Sequence, residues 1–113
     1  MRPRDIVRLE HMLQAAKKAV AYCRDKTRRD LDRDELLGLA MVRLVEIVGE
    51  AARSVGEDTR GELAAIPWRH VIGTRDRLIH GYGQVDLDIV WSIIADDLPV
   101  LIRSLETAGV RKP

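Results

Sequence analysis

The spacing of apolar residues along the chain restricts its fold more than any other feature of the sequence. In segments 6–23, 37–55 and 87–105, apolar residues recur every three or four positions. This spacing places them on one face of an α-helix, whereas a half-buried β-strand alternates apolar and polar residues with a period of two. Each segment therefore predicts an amphipathic helix, and no segment shows the alternation typical of a strand.

Residues at the ends of these segments are suited to starting and stopping helices. Asp5 fits the first turn of the first helix, and Gly56 fits the end of the second. Asp86 precedes the third segment, where its side chain can cap the helix by accepting from a free backbone amide. Pro99 removes one backbone hydrogen bond and crowds the preceding turn, so a kink or break is expected within residues 95–98.

Two stretches between the apolar stripes show no helical period. Residues 25–34 (DKTRRDLDRD) predict a loop that leads into the second helix, and residues 57–70 (EDTRGELAAIPWRH) predict an irregular connection. Pro67 is suited to opening a shorter helix that runs through Trp68 toward His80. We therefore expect an all-α, up-and-down bundle of four main helices, with a possible short extra turn before Pro67, in a single domain over residues 1–113.

Composition limits the size and the location of the protein. With 113 residues, of which 46% are hydrophobic, the chain suits one domain with its own core. Its 19 basic and 18 acidic residues give a net charge of +1, so overall charge indicates neither nucleic acid nor a membrane surface as a partner. The single Cys23 fits a reducing compartment, and the sequence has no apolar run of the ~18 residues needed to cross a bilayer and no signal-peptide pattern. We expect a cytoplasmic protein that does not enter the membrane.

The chain lacks the common sequence signatures of metal and cofactor sites. His11, His70 and His80 are too far apart to form a recognisable metal motif, and one cysteine cannot hold a structural zinc. No phosphate-cradling glycine loop is present, and neither Ser54 nor Ser104 lies in a nucleophile elbow. Any enzyme chemistry would therefore depend on arginine, histidine, tyrosine and carboxylate side chains, without a metal or cofactor.

The stretch RDRLIHGYG, residues 75–83, brings such side chains close together in the sequence. On a continuous helix Arg75 and His80, five residues apart, would point about 140° away from each other. Asp76 and His80, four residues apart, would share a face, so the carboxylate could accept from the imidazole, fix its tautomer and raise its basicity. The glycines on either side of Tyr82 would end the helix and leave the phenol accessible.

The same stretch also fits a purely structural interpretation. A histidine in the last turn of a helix gains from the helix dipole, a glycine is the usual residue after that turn, and a tyrosine there commonly packs on the core. Arg75 and Arg77 would then be solvated. Trp68 and Trp91 lie on apolar stripes and are interpreted as core or interface anchors rather than base-stacking surfaces. Spacing alone leaves both interpretations of residues 75–83 open.

Longer motifs around this stretch resemble a known family. The runs LVEIVGEAAR and IPWRHVIGTRDRLIHGYGQVDLDIVWSIIADDLPVLI closely resemble the HepT branch of the HEPN superfamily, small helical proteins paired in bacteria and archaea with an MNT-type nucleotidyltransferase. The likeness covers about residues 44–105. The family hallmark is an arginine, four residues, a histidine, one residue and a tyrosine, which fall here on Arg75, His80 and Tyr82. Asp76 stands where the family often has asparagine.

The resemblance implies a toxin that is a metal-independent endoribonuclease with a site formed between the two protomers of a homodimer. It also implies a nucleotidyltransferase antitoxin that silences the enzyme by attaching AMP to Tyr82. RNA cleavage without a metal uses the neighbouring 2′-hydroxyl as nucleophile and needs a base, an acid and positive charge near the phosphate. The two His80 side chains of a symmetric dimer could supply the base and the acid, and Arg75 the charge, with Asp76 in support.

Two other classes of function fit the same resemblance. One is a non-catalytic HEPN module that binds a nucleotide or docks a partner, and the other is a structural dimer within the antitoxin complex. Cleavage of RNA in the presence of a chelator, lost on His80→Ala substitution, would distinguish the enzyme from both.

Overall fold

A computed structural model describes residues 1–80 and 84–111 of the chain, and of Ile79 and His80 the backbone alone. Helices make up most of these residues, as the apolar spacing predicted, so the all-α fold is confirmed. No helix in this part of the chain has the length and apolar character to span a membrane. In order, the elements are α1 (Pro3–Tyr22), α2 (Asp30–Arg33), α3 (Glu35–Arg53), α4 (Glu57–Glu62), α5 (Trp68–Ile72), α6 (Thr74–Leu78), β1 (Ile79–His80), β2 (Gln84–Val85), α7 (Leu87–Ser92), a π-turn (Ile93–Asp97) and α8 (Leu98–Thr107).

The core lies where α1 packs against α3 and α8. Leu13 of α1, Met41 of α3 and Leu105 of α8 are completely buried, on the stripes that the sequence placed on the inner helix faces. Val45 of α3 is also completely buried, although it lies beside the predicted stripe. Ile6 is an exception, since 43% of its surface is exposed. The first turn of α1 therefore contributes less to the core than its spacing predicted.

Asp5 fixes the start of α1 to the link between α3 and α4. Its carboxylate is buried and accepts from the Gly56 amide at 3.1 Å and from the Thr59 hydroxyl at 2.6 Å. The Thr59 hydroxyl and then the Gly56 amide lower the pKa of Asp5, because both stabilise the charged form. Gly56 follows the end of α3, as predicted, but it also gives this carboxylate room, since a Cβ there would lie 3.2 Å from Asp5 Oδ2.

The two stretches without helical period are more ordered than predicted. Residues 25–34 include the four-residue helix α2, which buries Leu31 against α3. Gly38 permits this contact, because a Cβ on it would lie 2.9 Å from the Leu31 carbonyl oxygen. Residues 57–70 include α4, which is the extra turn expected before Pro67. α2 depends on its packing against α3, and α4 is bound through the Thr59 hydroxyl to Asp5; an apolar period shows neither contact.

The region from Pro67 to His80 differs most from the prediction. It is not one helix but two, α5 and α6, which meet at Gly73, and the chain then enters β1. The β1 strand pairs antiparallel with β2, with Ile79 opposite Val85 and His80 opposite Gln84. The sequence analysis did not predict this strand pair, because strands of two residues are too short to show an alternating pattern.

The last apolar segment has the helix cap at Asp86 and the interruption before Pro99 that the sequence predicted. Asp86 caps α7, and its side chain accepts from the amides of Asp88 at 2.9 Å and Ile89 at 3.3 Å. The interruption expected near Pro99 is the π-turn Ile93–Asp97, after which Pro99 lies in the first turn of α8. The π-turn accommodates the missing amide without breaking the helical path, and it brings Asp97 to the surface beside α5 and α6.

Candidate functional site

The short helix α6 carries the first two residues of the RDRLIHGYG stretch. Arg75 and Asp76 are exposed, and neither forms a hydrogen bond or ion pair with another residue that the structure describes. Among the described side chains, none occupies the Arg75 guanidinium. The predicted hydrogen bond between Asp76 and the His80 ring, and the accessibility of Tyr82, lie outside the described side chains and stay predictions.

His80 does not lie in a helix, so the argument that Asp76 and His80 share a helix face is wrong. The backbone of His80 is in β1, directly after α6, and is fixed by pairing with Gln84. The Asp86 amide donates to the Leu78 carbonyl at 2.8 Å and continues this pairing toward α6. The structural interpretation of His80 as the last turn of a helix is wrong for the same reason.

A group of polar side chains that the sequence did not reveal fixes α6 to the C-terminal half of the chain. We call it the Asp97 cluster, and it consists of His70, Thr74, Arg77 and Asp97. Asp97 Oδ2 lies 3.0 Å from His70 Nε2 and 3.2 Å from an Arg77 terminal nitrogen, which is also 3.4 Å from the Thr74 hydroxyl. The structural interpretation expected Arg77 to be solvated, and this is wrong, because its guanidinium is bound to Asp97 and Thr74.

The Asp97 cluster contains one unsatisfied group. The Arg77 Nε is buried and has no hydrogen-bond partner within the described residues. A buried donor without an acceptor is costly, so the bonds of the guanidinium to Asp97 and Thr74 offset part of this cost. Together with the buried Thr74 and Leu78, they fix the face of α6 opposite to Arg75 and Asp76.

Other polar residues considered from the sequence have structural partners. Glu50 pairs with Arg43 at 3.2 Å, and Arg28 pairs with Asp32 at 3.0 Å and with Asp88 at 2.7 Å. The Asp88 hydrogen bond raises the pKa of Arg28. These contacts give Glu50 and Arg28 structural roles at the surface.

The aromatic and sulfur side chains also have structural surroundings. Trp68 and Trp91 are half-buried against the core, and the Trp68 indole nitrogen donates to the Leu63 carbonyl at 3.0 Å. Cys23 is buried, and burial raises the pKa of its thiol. Within residues 1–80 and 84–111, no three His, Cys, Asp or Glu side chains are grouped so that they could hold a metal ion.

The sequence matches proteins of one family. The profile of the family described as Ribonuclease HepT-like matches residues 12–108. A relative from Thermococcus cleftensis named "Probable ribonuclease HepT" is 32% identical over 98 residues, which cover 87% of this chain and 89% of the relative. A relative from Caldanaerobacter subterraneus subsp. tengcongensis, named a putative RNase, is 33% identical over 98 residues, which cover 87% of this chain and 88% of the relative. No solved structure matches significantly.

Proposed function

The chain belongs to the Ribonuclease HepT-like family, and from this premise we propose that it is a metal-independent endoribonuclease whose catalytic residues are Arg75 and His80. One observation supports the role of Arg75 most. Arg75 is exposed and unpaired among the described residues, on a helix whose other face is fixed by the Asp97 cluster. Arg77, in the same turn, is by contrast bound to Asp97 and Thr74.

The proposed reaction uses the RNA as its own nucleophile. One His80 imidazole takes the proton of the 2′-hydroxyl, whose oxygen attacks the adjacent phosphorus, and the bond from phosphorus to the 5′-oxygen breaks. A protonated second imidazole gives its proton to the departing oxygen, so the products carry a 2′,3′-cyclic phosphate and a 5′-hydroxyl. Arg75 donates to the phosphate oxygens, on which negative charge increases in the transition state.

We propose that the two imidazoles come from two copies of the chain. The attacking and leaving oxygens lie on opposite sides of the phosphorus, so one ring cannot serve both at once. A two-fold axis beside α6 would bring one His80 from each protomer to a single phosphate and would place Arg75 of both protomers near it. The dimer would then hold one shared site.

We further propose that the protein is the toxin of a toxin–antitoxin pair, with an MNT-type nucleotidyltransferase as antitoxin. Transfer of AMP to the Tyr82 hydroxyl would add a phosphodiester charge and a nucleoside two residues after His80. Both would compete with RNA for Arg75 and would block the site without unfolding the protein. Mass spectrometry of the Tyr82 peptide after co-expression with such a nucleotidyltransferase would show the added AMP, and its absence would rule out this regulation.

The test of the enzyme is a cleavage assay in chelator with purified protein. We expect the wild-type protein to cut RNA, and His80→Ala to lose nearly all of this activity, since a positioned acid or base contributes about 10²–10⁴ in rate. His11→Ala is a matched control, because His11 is an exposed histidine on α1. RNA with a 2′-deoxy nucleotide at the cut position should be resistant. Nucleotide binding without cleavage would instead favour a non-catalytic binding module.

A further inference from the structure

A basin of about 660 Å³ lies open to solvent beside Asp76, where the ends of α3, α4 and α5 meet. We call it the arginine basin, because three helices each contribute one arginine to its wall. This volume lies within the range of about 300–1,000 Å³ that is typical of sites for small ligands, which includes the size of a nucleotide. The lining side chains that matter here are Arg53, Glu57, Arg60, Trp68, Arg69 and Asp76.

The arginines of this basin form no ion pairs within the described residues. Ion pairs in the described parts of the chain involve Arg28, Arg43 and Arg77, whereas Arg53 and Arg69 are exposed and have no carboxylate within 4 Å. Arg60 donates from Nε to the Val55 carbonyl at 3.1 Å, which fixes the stem of its side chain. Guanidinium groups without an internal partner are suited to bidentate contacts with phosphate oxygens.

Trp68 adds an aromatic surface to the same basin. Its indole nitrogen is held by the Leu63 carbonyl at 3.0 Å, and the half-buried side chain contributes to the basin wall. Bases of single-stranded RNA stack on aromatic and guanidinium planes, while their phosphates bind basic side chains. The Glu57 and Asp76 carboxylates reduce the positive charge, but they are also acceptors for 2′-hydroxyl and base amino groups, which a phosphate-only site does not need.

A second basic groove has a different composition. It lies between α1 and α3 and is lined by Arg8, His11, Lys18 and Arg43, but Arg43 is already paired with Glu50 at 3.2 Å. Its wall contains no Trp, Tyr or Phe side chain, and its one aromatic ring is the smaller imidazole of His11. Of the two surfaces, the arginine basin is therefore the one suited to single-stranded RNA, and it also adjoins the residue next to Arg75.

We propose that the arginine basin binds the single-stranded RNA segment that flanks the scissile phosphate, with Arg53, Arg60 and Arg69 on its phosphates and Trp68 beside a base. The inference rests on the proposed ribonuclease function and extends it, because it assigns a substrate-binding surface outside the Arg75 and His80 motif. These residues position the RNA and take no part in bond breaking. Their loss should therefore affect substrate affinity and leave the chemical step unchanged.

The test removes two exposed charges from the basin in Arg53→Gln/Arg69→Gln. Binding of a fluorescent single-stranded RNA is measured in a His80→Ala background, which prevents cleavage, at several salt concentrations. We expect about tenfold weaker binding, and a salt dependence whose slope falls by about 1.4, since each lost phosphate contact removes about 0.7 for single strands. Lys18→Gln/Arg24→Gln removes two exposed cations from the α1 surface and is the matched control. It should bind RNA like the parent.

Kinetics of the cleaving protein give a second, independent measurement. In the wild-type background, Arg53→Gln/Arg69→Gln should raise KM about tenfold and leave kcat unchanged. Circular dichroism of both double variants checks that the fold is intact. Trp68→Phe keeps a ring for stacking and should bind RNA nearly as the parent does, whereas Trp68→Leu removes the ring and should bind RNA more weakly; equal binding by the two variants would exclude stacking on Trp68.

The outcomes separate this inference from the proposed function. If the basin variant binds RNA with the affinity and salt slope of the control while the wild-type protein cuts RNA, the inference is wrong and the ribonuclease stands. Loss of antitoxin binding with RNA binding retained would assign the basin to a protein interface and would also overturn the inference. If RNA binds through the basin but the wild-type protein does not cut it, the proposed catalysis is wrong and the inferred surface is retained.

Discussion

Asp97→Asn tests whether the Asp97 cluster holds α6 in place. The substitution keeps the size of the side chain but removes the charge that both His70 Nε2, at 3.0 Å, and Arg77, at 3.2 Å, contact. His70 belongs to α5 and Arg77 to α6, so the change loosens both short helices from the C-terminal half of the chain. We expect a less stable protein and slower RNA cleavage, because α6 carries Arg75.

The size of the effect follows from distance and exposure. Two unit charges at the 3.2 Å separation of Arg77 and Asp97 attract each other by about 1.3 kcal/mol at a dielectric constant of 80 and by about 5 kcal/mol at 20. Because the two side chains are 35% and 34% exposed, solvent screening and side-chain entropy bring the net value close to that of a surface pair, about 1 kcal/mol. For a chain of 113 residues this corresponds to about 4 °C in Tm.

Urea unfolding at constant protein concentration measures this energy, and a double-mutant cycle isolates it. We expect Asp97→Asn and Arg77→Met to show a coupling of about 1 kcal/mol at low salt, and less at 1 M salt, where the Debye length falls to about 3 Å. Asp96→Asn is the matched control, since Asp96 is an exposed carboxylate on the same π-turn without a described hydrogen bond. It should leave stability and cleavage near the wild-type values. A coupling near zero, or equal losses in the two asparagine variants, would refute the reasoning.

Three further results are expected. The pKa of Asp5 is lowered in the folded protein, so its contribution to stability is present above its unfolded pKa of about 3.9 and is lost as pH falls through the folded value. The midpoint of urea unfolding should therefore fall between about pH 6 and 3, and it should fall less in Asp5→Asn than in the wild-type protein. An equal fall in both proteins would exclude Asp5 as its cause. Gly38→Ala should destabilise the protein by about 1 kcal/mol, because crowding against the Leu31 carbonyl outweighs the gain in helix propensity. Gly61→Ala should stabilise it by about 0.5–1 kcal/mol, because nothing lies within 4 Å of a Cβ at this position. A change of the same sign in both variants, measured by calorimetry, would contradict this. Arg75→Lys should stay impaired in RNA cleavage, because lysine keeps the charge but loses the bidentate fork, and near-normal activity would argue against the role of Arg75.

The helical bundle could be predicted because its long helices carry their own pattern. Burial of Leu13, Met41 and Leu105 follows directly from the apolar spacing, and the Asp86 cap from one residue before a stripe. The division at Gly73 into two short helices and the pairing of β1 with β2 could not be predicted in this way. Each depends on hydrogen bonds within segments of only a few residues, which are too short to show a period.

The functional residues also differ in whether a local sequence pattern predicts them. The exposure of Arg75 agrees with its place in a sequence motif, but the Asp97 cluster joins residues 20 and 27 positions apart, and no local pattern marks such a pair. The arginine basin likewise takes its three guanidinium groups from three helices. Such sites can be recognised only in the folded structure, where packing places the helices beside one another. A motif within one short segment can be recognised from the sequence alone.

A mixed dimer with one His80→Ala protomer tests most directly whether two copies of the chain share one catalytic site. The two chains carry different tags, so that the mixed species can be purified by both and assayed for RNA cleavage in chelator. If the base and the acid are the two His80 side chains of one site, the mixed dimer should lose activity by about 100-fold or more, as the fully substituted dimer does. Retention of half of the wild-type activity would mean that each protomer holds a complete site, and it would contradict the shared-site account.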